Sequence, residues 1–305
     1  MRPKALIKLA RPEHWVKNLI VLAPVLFARR TGDPVAWILA GLAAGAFCLA
    51  SSAVYVFNDI RDREADRRHP RKKDRPLASG AVSVRAAAAE CVVLLAGAAG
   101  LGFAANPFVL ATVGLYVLLQ AAYSLVLKHR MLVDVICIAL GFVLRAMAGA
   151  LAIRVEISPW LFVCTFTLCL FLGFCKRCNE LVTMGADDDA FAHRRTLAGY
   201  TPELLTHLIT LSAAVSVVAF LSYALSDRTV ENLGTNFLVY TLPVVVYVVF
   251  RFAMLSMRGR YADPTDLITH DRPFQLVSLL WLAMVVVVIR WGRQLQEFAR
   301  QRLWD

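Results

Sequence analysis

The sequence contains few charged residues, and no part of it is polar over a length sufficient for a soluble domain. Asp, Glu, Lys and Arg make up 18% of its 305 residues, whereas apolar residues make up 59%. Long runs such as Val35–Phe57 and Leu204–Leu225 lack all four charged types. About 20 apolar residues are sufficient for a helix to cross roughly 30 Å of hydrocarbon. The composition therefore excludes a soluble protein and predicts a polytopic, all-α membrane protein.

The sequence also lacks the pattern of a disulfide framework or a zinc site. Cys175 and Cys178 form a CxxC at a helix end, but no second pair and no His cluster accompany them. No cleavable signal peptide is expected, because the first apolar run ends at Arg29–Arg30 without a small-residue cleavage pattern. The other five cysteines lie within apolar runs, where Cys behaves as a small hydrophobe: Cys48, Cys91, Cys137, Cys164 and Cys169.

The apolar runs predict nine membrane-spanning helices in a single membrane-embedded domain that covers residues 1–305. The turns Asn106–Pro107 and Ser158–Pro159 separate consecutive spans. The first span is short and contains Pro24, which predicts a kink or a tilt. The predicted spans are 15–30, 35–58, 83–103, 107–127, 132–153, 158–178, 203–225, 235–256 and 274–292.

The distribution of Lys and Arg predicts the orientation of these spans. With a cytoplasmic N-terminus, 24 of the 33 Lys and Arg residues lie on the cytoplasmic side, eight on the other side, and Arg145 within a span. Positive residues accumulate on the cytoplasmic side of membrane proteins, although the basic tail after Arg290 argues against this orientation. We expect a multi-pass protein of a bacterial-type inner (cell) membrane whose long polar loops and active site face the cytoplasm.

The net charge of +11 is typical of a basic cytoplasmic face that meets anionic membrane lipids. No nucleic acid partner is expected, because the basic residues are not combined with aromatic residues on a soluble platform. The sequence is compatible with a homo-oligomer.

The strongest local signal is the Asp-rich loop, which we define as Asn58 to Arg75, directly after the second predicted span. If the helix of that span continues, Asn58, Asp59, Asp62 and Asp66 lie on nearly one face, at spacings of three and four residues. Three converging carboxylates repel one another unless a cation lies between them. Mg²⁺ takes oxygen ligands and commonly combines a few carboxylates with substrate phosphates. The three Asp residues are therefore the predicted metal ligands and catalytic residues.

Basic residues in the same loop predict that the metal carries a phosphate group. Guanidinium and ammonium groups neutralise phosphate oxygens, and His69 is a further candidate ligand for a phosphate or a sugar. The alternative is an ordinary solvated loop in which Asp and Arg pair with each other. The helical spacing and the stiffening by Pro70 and Pro76 favour the binding site. The basic residues are Arg61, Arg67, Arg68, Lys72 and Arg75.

The pattern N-D-x-x-D-x-x-x-D at Asn58–Asp66 continues as R-x-H-P-x-K-x-x-R-P-x-x-S-G from Arg67 to Gly80. It resembles the first Asp-rich motif of the UbiA-type intramembrane prenyltransferases. The resemblance implies nine helices around a central cavity, which agrees with the number of predicted spans.

Further segments resemble one branch of that family, the polyprenyl-phosphate phosphoribosyltransferases of the decaprenyl-phosphate type. Together they cover most of the chain. They are Arg11–Asn18, Tyr123-Ser124 with Leu127-Lys128 and Asp134, Gly141–Ala146 with Gly149, Lys176–Leu181, Arg195 with Leu197 and Tyr200, and Asp271-Arg272-Pro273.

The chain departs from the ordinary family pattern after the sixth predicted span. Ordinary members carry a second motif, D-x-x-x-D, whereas this chain has Asp187-Asp188-Asp189 in succession. Consecutive helical residues point about 100° apart, so these acids do not share one narrow face; they are also typical of a solvated acidic loop. The second site instead offers the cations Lys176 and Arg177, with Glu180 nearby, and Lys128 with Arg130 on another loop.

The resemblance implies transfer of the 5-phosphoribosyl group from 5-phosphoribosyl 1-diphosphate (PRPP) to a polyprenyl phosphate, a step in cell envelope biogenesis. The donor diphosphate is expected on Mg²⁺ at the Asp-rich loop. A lipid phosphate is already ionised at pH 7, so no strong general base is needed. The candidate partners of the other two phosphates are Lys17, Arg67, Lys128, Lys176 and Arg177.

Polar residues in or near the spans complete the candidate substrate site. Asp134 and Arg145 lie eleven positions apart near the fifth predicted span, where ionisable groups usually face a cavity or a partner helix. Tyr123 and Ser124 are candidates for hydrogen bonds to the sugar, although Tyr is common at membrane interfaces.

Two other functions remain open at the sequence level. A conventional prenyltransferase that joins a polyprenyl diphosphate to an aromatic acceptor would share the fold and the Mg²⁺ site, but the missing second motif argues against it. A transporter of a phosphorylated solute would place its polar groups near the midplane and often shows repeated halves. No clear repeat is evident, and the acids lie at a span end.

Overall fold

The computed structural model describes residues 3–68, 72–184, 199–261 and 264–303, and every regular element within these ranges is helical. This confirms the predicted all-α class. The helices are α1 (Pro3–Ala10), a 3₁₀ helix (Pro12–Leu22), α2 (Ala23–Phe27), α3 (Pro34–Arg61), α4 (Arg63–Arg68), α5 (Val84–Ala105), α6 (Pro107–Leu125), α7 (Val133–Ala152), α8 (Pro159–Met184), α9 (Pro202–Leu225), α10 (Asp227–Leu233), α11 (Leu242–Met257), α12 (Pro264–His270) and α13 (Arg272–Leu303), with short 3₁₀ helices at Leu127–His129 and Phe237–Thr241.

Eight helices in the described ranges are long and apolar enough to cross a membrane. They correspond to the second to ninth predicted spans, and the count of nine is not confirmed. The eight are α3, α5, α6, α7, α8, α9, α11 with the 3₁₀ helix before it, and α13.

The first predicted span, 15–30, forms a different structure from the one expected. An eleven-residue 3₁₀ helix is followed by the short α2. At rises of about 2.0 and 1.5 Å per residue, Pro12–Phe27 is about 30 Å long. It runs antiparallel to α3, since Trp15 contacts Ser52 whereas Val25 packs with Ala40, nearer the start of that helix.

Local capping explains where the long helices begin. Asp33 precedes α3 and accepts hydrogen bonds from the backbone N–H groups of Val35 and Ala36. Asn106 caps α6 in the same way. Pro occupies the first position of both helices, where the missing N–H costs nothing. The predicted turn at Asn106–Pro107 is therefore confirmed.

The chain forms two compact units. Unit 1 comprises residues 1–126 and 141–157, and unit 2 comprises residues 127–140 and 158–305. In unit 1, α3 packs closely on α5, because a glycine of each helix accommodates a leucine of the other. A Cβ at Gly97 would lie 3.0 Å from Leu49 Cδ1, and a Cβ at Gly45 would lie 3.2 Å from Leu101 Cδ1. In unit 2, α8 packs on α9 and on α11 in one apolar cluster, in which Phe171 of α8 contacts Phe252 of α11. The single-domain prediction is not tested by this division.

Large apolar side chains remain exposed on the long helices, including Val93 on α5, Leu118 on α6 and Leu276 on α13. A soluble protein rarely exposes so many along its helices. Contact with lipid tails explains them, in agreement with the eight apolar spans.

Candidate active site

The Asp-rich loop begins at the C-terminal end of α3. Asp62 adopts a turn conformation after Arg61, and α4 follows at once. The N–H of Asp62 donates to the carbonyl of Asn58 at 2.8 Å, and the N–H of Asp66 donates to the carbonyl of Asp62 at 2.8 Å. The four-residue helical spacing therefore continues across the break, as the sequence predicts.

Two carboxylates of this loop are buried and joined by one guanidinium group. Asp59 and Asp66 are 3% and 4% exposed. Arg75 Nη1 lies 3.2 Å from Asp59 Oδ1 and 2.7 Å from Asp66 Oδ2, and Lys72 Nζ lies 3.9 Å from Asp66 Oδ1. Buried carboxylates need such compensation. The loop thus brings together two of its three predicted acids with Lys72 and Arg75, and pairing between Asp and Arg, the alternative interpretation, is present as well.

Arg11 is a member of this site that the sequence reasoning did not assign. Its Nη2 lies 2.5 Å from Asp59 Oδ1, and its guanidinium group lies 5.2 Å from the ring centre of Tyr55. Arg11 has a left-handed backbone with φ 52°, which is strained for a residue before proline. Only its position in the Arg11–Asn18 segment of the resemblance could have indicated it.

The oxygen atoms at the end of α3 fit a hard divalent cation such as Mg²⁺. Asn58 Oδ1 is buried and accepts no hydrogen bond within the described ranges. It stands beside Asp59, and Asp62 and Asp66 follow at helical spacing, so the donor set is entirely oxygen. The position between Asp59 and Asp66 is occupied by Arg75. Among the residues the structure describes, no three His, Cys, Asp or Glu side chains are grouped to hold an ion, so the three-carboxylate metal site stays a prediction.

Arg67 is the next predicted residue of the loop. Arg67 donates from Nε to the carbonyl of Ala78 at 3.2 Å and pairs with Glu64, which ties α4 to the segment after Arg75. His69 lies outside the described ranges. Lys17 is half-buried on the first 3₁₀ helix.

Unit 2 contains a second charged group, which we call the Asp134 cluster: Asp134, Arg177, Glu180 and Tyr200. Arg177 Nε lies 2.8 Å from Asp134 Oδ2, and Arg177 Nη1 lies 2.6 Å from Glu180 Oε2. Asp134 is fully buried and Glu180 is 8% exposed. The predicted cation Arg177 therefore has two carboxylate partners, so its charge is already compensated within the protein.

Tyr200 completes the Asp134 cluster. Its hydroxyl donates to Asp134 Oδ1 at 3.2 Å and accepts the backbone N–H of Leu132 at 2.8 Å. Leu132 has φ 66°, an uncommon value for a bulky residue. Burial, together with the Asp134 carboxylate, raises the pKa of Tyr200 to about 12. The hydroxyl therefore remains a hydrogen-bond donor at ordinary pH.

A second network in unit 2 supports the C-terminal end of α8, which is predicted to face the cytoplasm. Arg251 binds Asp271 through Nε at 2.6 Å and Nη2 at 2.9 Å. The hydrogen bond from Arg251 lowers the pKa of Asp271. Tyr261 also contacts Asp271, and Asn179 Nδ2 donates to the carbonyl of Tyr261. Asp271 belongs to the segment Asp271-Arg272-Pro273, which the sequence analysis includes in the family resemblance. Through Tyr261 and Asn179, it supports the end of α8 that carries Arg177.

The other predicted residues have simpler surroundings. Ser124 is buried and donates to the carbonyl of Gln120 at 2.8 Å. Arg145 is buried within unit 1 and donates to Asn18, Gly141 and Tyr116. Tyr123, Lys128 and Lys176 are half-buried. Asp187, Asp188, Asp189, Arg194, Arg195 and Leu197 lie outside the described ranges.

The chain matches a known protein family over most of its length. Residues 18–279 match the model of the UbiA prenyltransferase family. The chain belongs to that family. It is accordingly a multi-pass membrane enzyme of a transferase family, and the resemblance inferred from the Asp-rich loop is confirmed.

Curated relatives extend the UbiA match over nearly the whole chain. The decaprenyl-phosphate phosphoribosyltransferase of Mycobacterium tuberculosis is 33% identical over 94% of this chain and 94% of that protein. The protein of the same name from Corynebacterium glutamicum is 32% identical over 93% of this chain and 86% of that protein. The resemblance to this branch is therefore confirmed.

A solved UbiA structure supports the fold independently. The UbiA homolog from Archaeoglobus fulgidus, determined with GPP and Mg²⁺ bound, has a TM-score of 0.72 and covers 93% of this chain and 99% of that chain. Its sequence identity of 22% limits the likeness to the fold.

For this UbiA family member, replacing Arg75 with alanine is expected to destabilise the apoprotein and to strengthen the effect of Mg²⁺. Arg75→Ala removes the shared partner of Asp59 and Asp66. Since Arg11 and Lys72 remain beside the carboxylates, the free energy of unfolding should fall by about 2 kcal/mol, which is less than the loss when a fully buried ion pair is broken. At a concentration of about 100 Kd, a bound cation would restore roughly 2.7 kcal/mol. Melting temperatures with EDTA and with Mg²⁺ measure both effects.

The control for this prediction is Arg68→Ala, which removes an exposed arginine of α4. It should melt as the wild type does in both buffers. An Arg75→Ala protein that is destabilised yet gains no more from Mg²⁺ than the wild type would contradict a cation site between these carboxylates.

The Asp134 cluster predicts an alkaline limit to stability. The ordinary pKa of Tyr200 is 10.0 and the folded value is about 12, so the folded state disfavours the ionised form. The contribution of Tyr200 is therefore complete below about pH 10 and is lost as the pH rises towards 12. The melting temperature should fall above pH 10 in the wild type and less steeply in Tyr200→Phe. Tyr240→Phe, at an exposed position, should keep the wild-type slope.

Proposed function

We propose that the chain transfers the 5-phosphoribosyl group of PRPP to a polyprenyl phosphate and releases diphosphate in an Mg²⁺-dependent reaction. The observation that carries this proposal is the 33% identity, over 94% of both chains, to a protein named decaprenyl-phosphate phosphoribosyltransferase. The acid–base centre of the Asp-rich loop supports it, because metal-bound diphosphates are bound by carboxylates and guanidinium groups together.

The donor diphosphate is assigned to the Asp-rich loop. Asn58, Asp59, Asp62 and Asp66 would hold Mg²⁺, which supplies positive charge against the negative charge that develops on the leaving diphosphate. Arg11, Arg75 and Lys72 already lie at the two buried carboxylates. Their N–H groups would turn to the diphosphate oxygens and stabilise the same charge, which is usually the largest catalytic contribution.

The transfer is a single displacement at the anomeric carbon. An oxygen of the lipid phosphate forms the new bond to that carbon, the bond to the diphosphate oxygen breaks, and its electron pair leaves with the diphosphate. The nucleophile is already ionised, so no side chain has to remove a proton. Holding the two phosphorylated substrates in line supplies much of the rate, and inversion at the anomeric carbon is expected.

The donor 5-phosphate and the lipid phosphate need further cations. We assign Lys17, Arg67, Lys128 and Lys176 to this task, with His69 as a further ligand. Arg177 has its charge compensated by Asp134 and Glu180, and we assign it a hydrogen-bonding role. Tyr123 and Ser124 are assigned to the ribose hydroxyl groups. The Lys and Arg distribution supports a cytoplasmic site and N-terminus, and lipid-facing spans would hold the polyprenyl tail.

The proposal is tested by the product that the purified protein forms in lipid nanodiscs. With Mg²⁺, PRPP and a polyprenyl phosphate, mass spectrometry should detect lipid-linked phosphoribose, and EDTA should abolish it. A parallel reaction contains a prenyl diphosphate and an aromatic acid. Product in the parallel reaction alone, at every polyprenyl chain length, would overturn the proposal.

A conventional prenyl transfer is the second candidate, because the Archaeoglobus fulgidus structure was determined with GPP bound. That protein is 22% identical to this chain, well below the phosphoribosyltransferases. Sequence similarity therefore ranks phosphoribosyl transfer first.

A further inference from the structure

The first 3₁₀ helix, Pro12–Leu22, is much longer than the three or four residues usual for this conformation. With three residues per turn, every third side chain lies on one face. Asn18, Val21 and Pro24 of α2 are buried at this period, whereas Val16 and Leu19 are exposed. The segment is therefore held by one narrow stripe of residues, and its rotation about its axis is specified by that stripe.

The part of α7 that belongs to unit 1 contacts this stripe at two successive turns. A Cβ at Gly149 would lie 2.0 Å from the carbonyl oxygen of Val21, so only glycine permits this approach. One α-helical turn earlier, Arg145 Nε donates to Asn18 Oδ1 at 2.7 Å. The two α7 residues are four apart and their partners are three apart, which is one turn of each helix type. The registers of the two helices therefore match.

Arg145 uses its guanidinium group to join three elements of unit 1. Besides Asn18, it donates from Nη1 to the carbonyl of Gly141 at 2.9 Å and from Nη2 to the hydroxyl of Tyr116 on α6 at 2.9 Å. Its charged centre lies 4.6 Å from the ring centre of Tyr116 and 5.1 Å from that of Phe142. No carboxylate pairs with it in the described part of the chain. Such a buried charge is costly, which argues for a role beyond packing.

The same face of the 3₁₀ helix also contacts α3, through Trp15 and Asn18. Trp15 Nε1 donates to Ser52 Oγ at 3.0 Å, and Ser52 Oγ donates to the carbonyl of Ala10 at 2.7 Å. Asn18 Nδ2 lies 3.4 Å from Ser51 Oγ. The next contact in this series is Arg11 with Asp59. A slip of one residue would rotate the 3₁₀ helix by about 120° and shift it by about 2 Å, which would remove Arg11 from Asp59.

We propose that Arg145 is a positioning residue, which acts through Asn18 to set the register of the first 3₁₀ helix and so holds Arg11 at Asp59. Gly149 provides the close approach that makes this register unique. Arg145 lies on a different helix from the Asp-rich loop, and all three of its guanidinium nitrogens donate to protein groups of unit 1, so we assign it an indirect effect on substrate. The kinetic consequence rests on the proposed function, whereas the structural consequence does not.

Hydrogen exchange of the full-length protein in nanodiscs tests the structural part. Arg145→Met should increase exchange in peptides covering Pro12–Leu22 at least fivefold and leave α11 unchanged. Asn18→Ala, which removes the acceptor, should give the same pattern. Gly149→Ala should do so too, whereas its control Gly114→Ala, at a position where a Cβ meets nothing within 4 Å, should match the wild type. Wild-type exchange of Pro12–Leu22 in Arg145→Met and Asn18→Ala would overturn the proposal.

Steady-state kinetics test the connection to Arg11. Arg145→Met should lower kcat five- to tenfold and change KM for PRPP less than twofold, because Arg11 is assigned to the charge that develops on the leaving diphosphate. In an Arg11→Ala background the same substitution should change kcat less than twofold, because the contact through which it acts is already lost. An equal effect in both backgrounds would indicate direct contact with substrate and overturn the positioning role. If the wild type transfers no phosphoribosyl group, the proposed function fails, and the exchange measurement still decides the register.

Discussion

Replacing Asp62 with alanine is expected to lower kcat/KM for phosphoribosyl transfer by about a thousandfold, the upper range for loss of one group that stabilises transition-state charge. Asp62 lies at the end of α3, four residues after Asn58 and four before Asp66, with the backbone hydrogen bonds of a continuing helix. Its carboxylate is half-exposed, so the fold should not depend on it. Phosphoribosyl transfer and melting temperature measured on the same preparation test both statements.

The matched control for Asp62 is Asp74→Ala. Asp74 is an exposed acid of the same loop outside the N-D-x-x-D-x-x-x-D pattern, and its replacement should leave kcat/KM within twofold of the wild type. An Asp62→Ala protein with full activity would remove the Asp-rich loop from the catalytic site.

Asp134→Ala is expected to cause the largest loss of stability, about 3 kcal/mol or more, because it leaves Arg177 with one carboxylate fewer in a buried site. Asp134 is fully buried, and it binds both Arg177 and Tyr200. The melting temperature should therefore fall by several degrees, and peptides near Leu132 should exchange faster.

Glu231→Gln provides the control in unit 2, since Glu231 is exposed on α10 and its charge should contribute little. A wild-type melting temperature for Asp134→Ala would show that the Asp134 cluster does not hold unit 2 together. The activity of Asp134→Ala is informative only at a temperature at which the protein remains folded.

The sequence predicts features that depend on local chemistry. Pro107 follows a capping Asn, so the start of α6 could be placed before any contact was known. The Asp-rich loop could also be placed from the sequence, because its acids keep helical spacing across the break at Asp62. Both depend only on residues a few positions apart.

Features that depend on tertiary contacts could not be predicted in this way. Arg11 and Asp59 are 48 positions apart, and their contact requires the N-terminal segment to run antiparallel to α3. The conformation of that segment was missed as well, because hydropathy registers an apolar run without distinguishing a 3₁₀ helix from an α-helix. The period of three at Asn18, Val21 and Pro24 is a pattern of burial that only the structure shows, because Asn18 is polar whereas the exposed Val16 and Leu19 are apolar.

The charge of the second site illustrates the same limit. The sequence predicts Lys176 and Arg177 as cations of the second site, whereas the fold supplies Asp134 from α7 as a partner of Arg177. Whether a cation is available to a substrate depends on which residues the helices bring beside it. Composition alone therefore overestimates the positive charge of this site.

The most direct test of phosphoribosyl transfer follows oxygen atoms from a polyprenyl phosphate labelled with ¹⁸O. Direct displacement at the anomeric carbon predicts that all the label stays in lipid-linked phosphoribose and that the released diphosphate has its ordinary mass. Label in the diphosphate, or no phosphoribosyl lipid alongside activity with a prenyl diphosphate and an aromatic acid, would contradict the account.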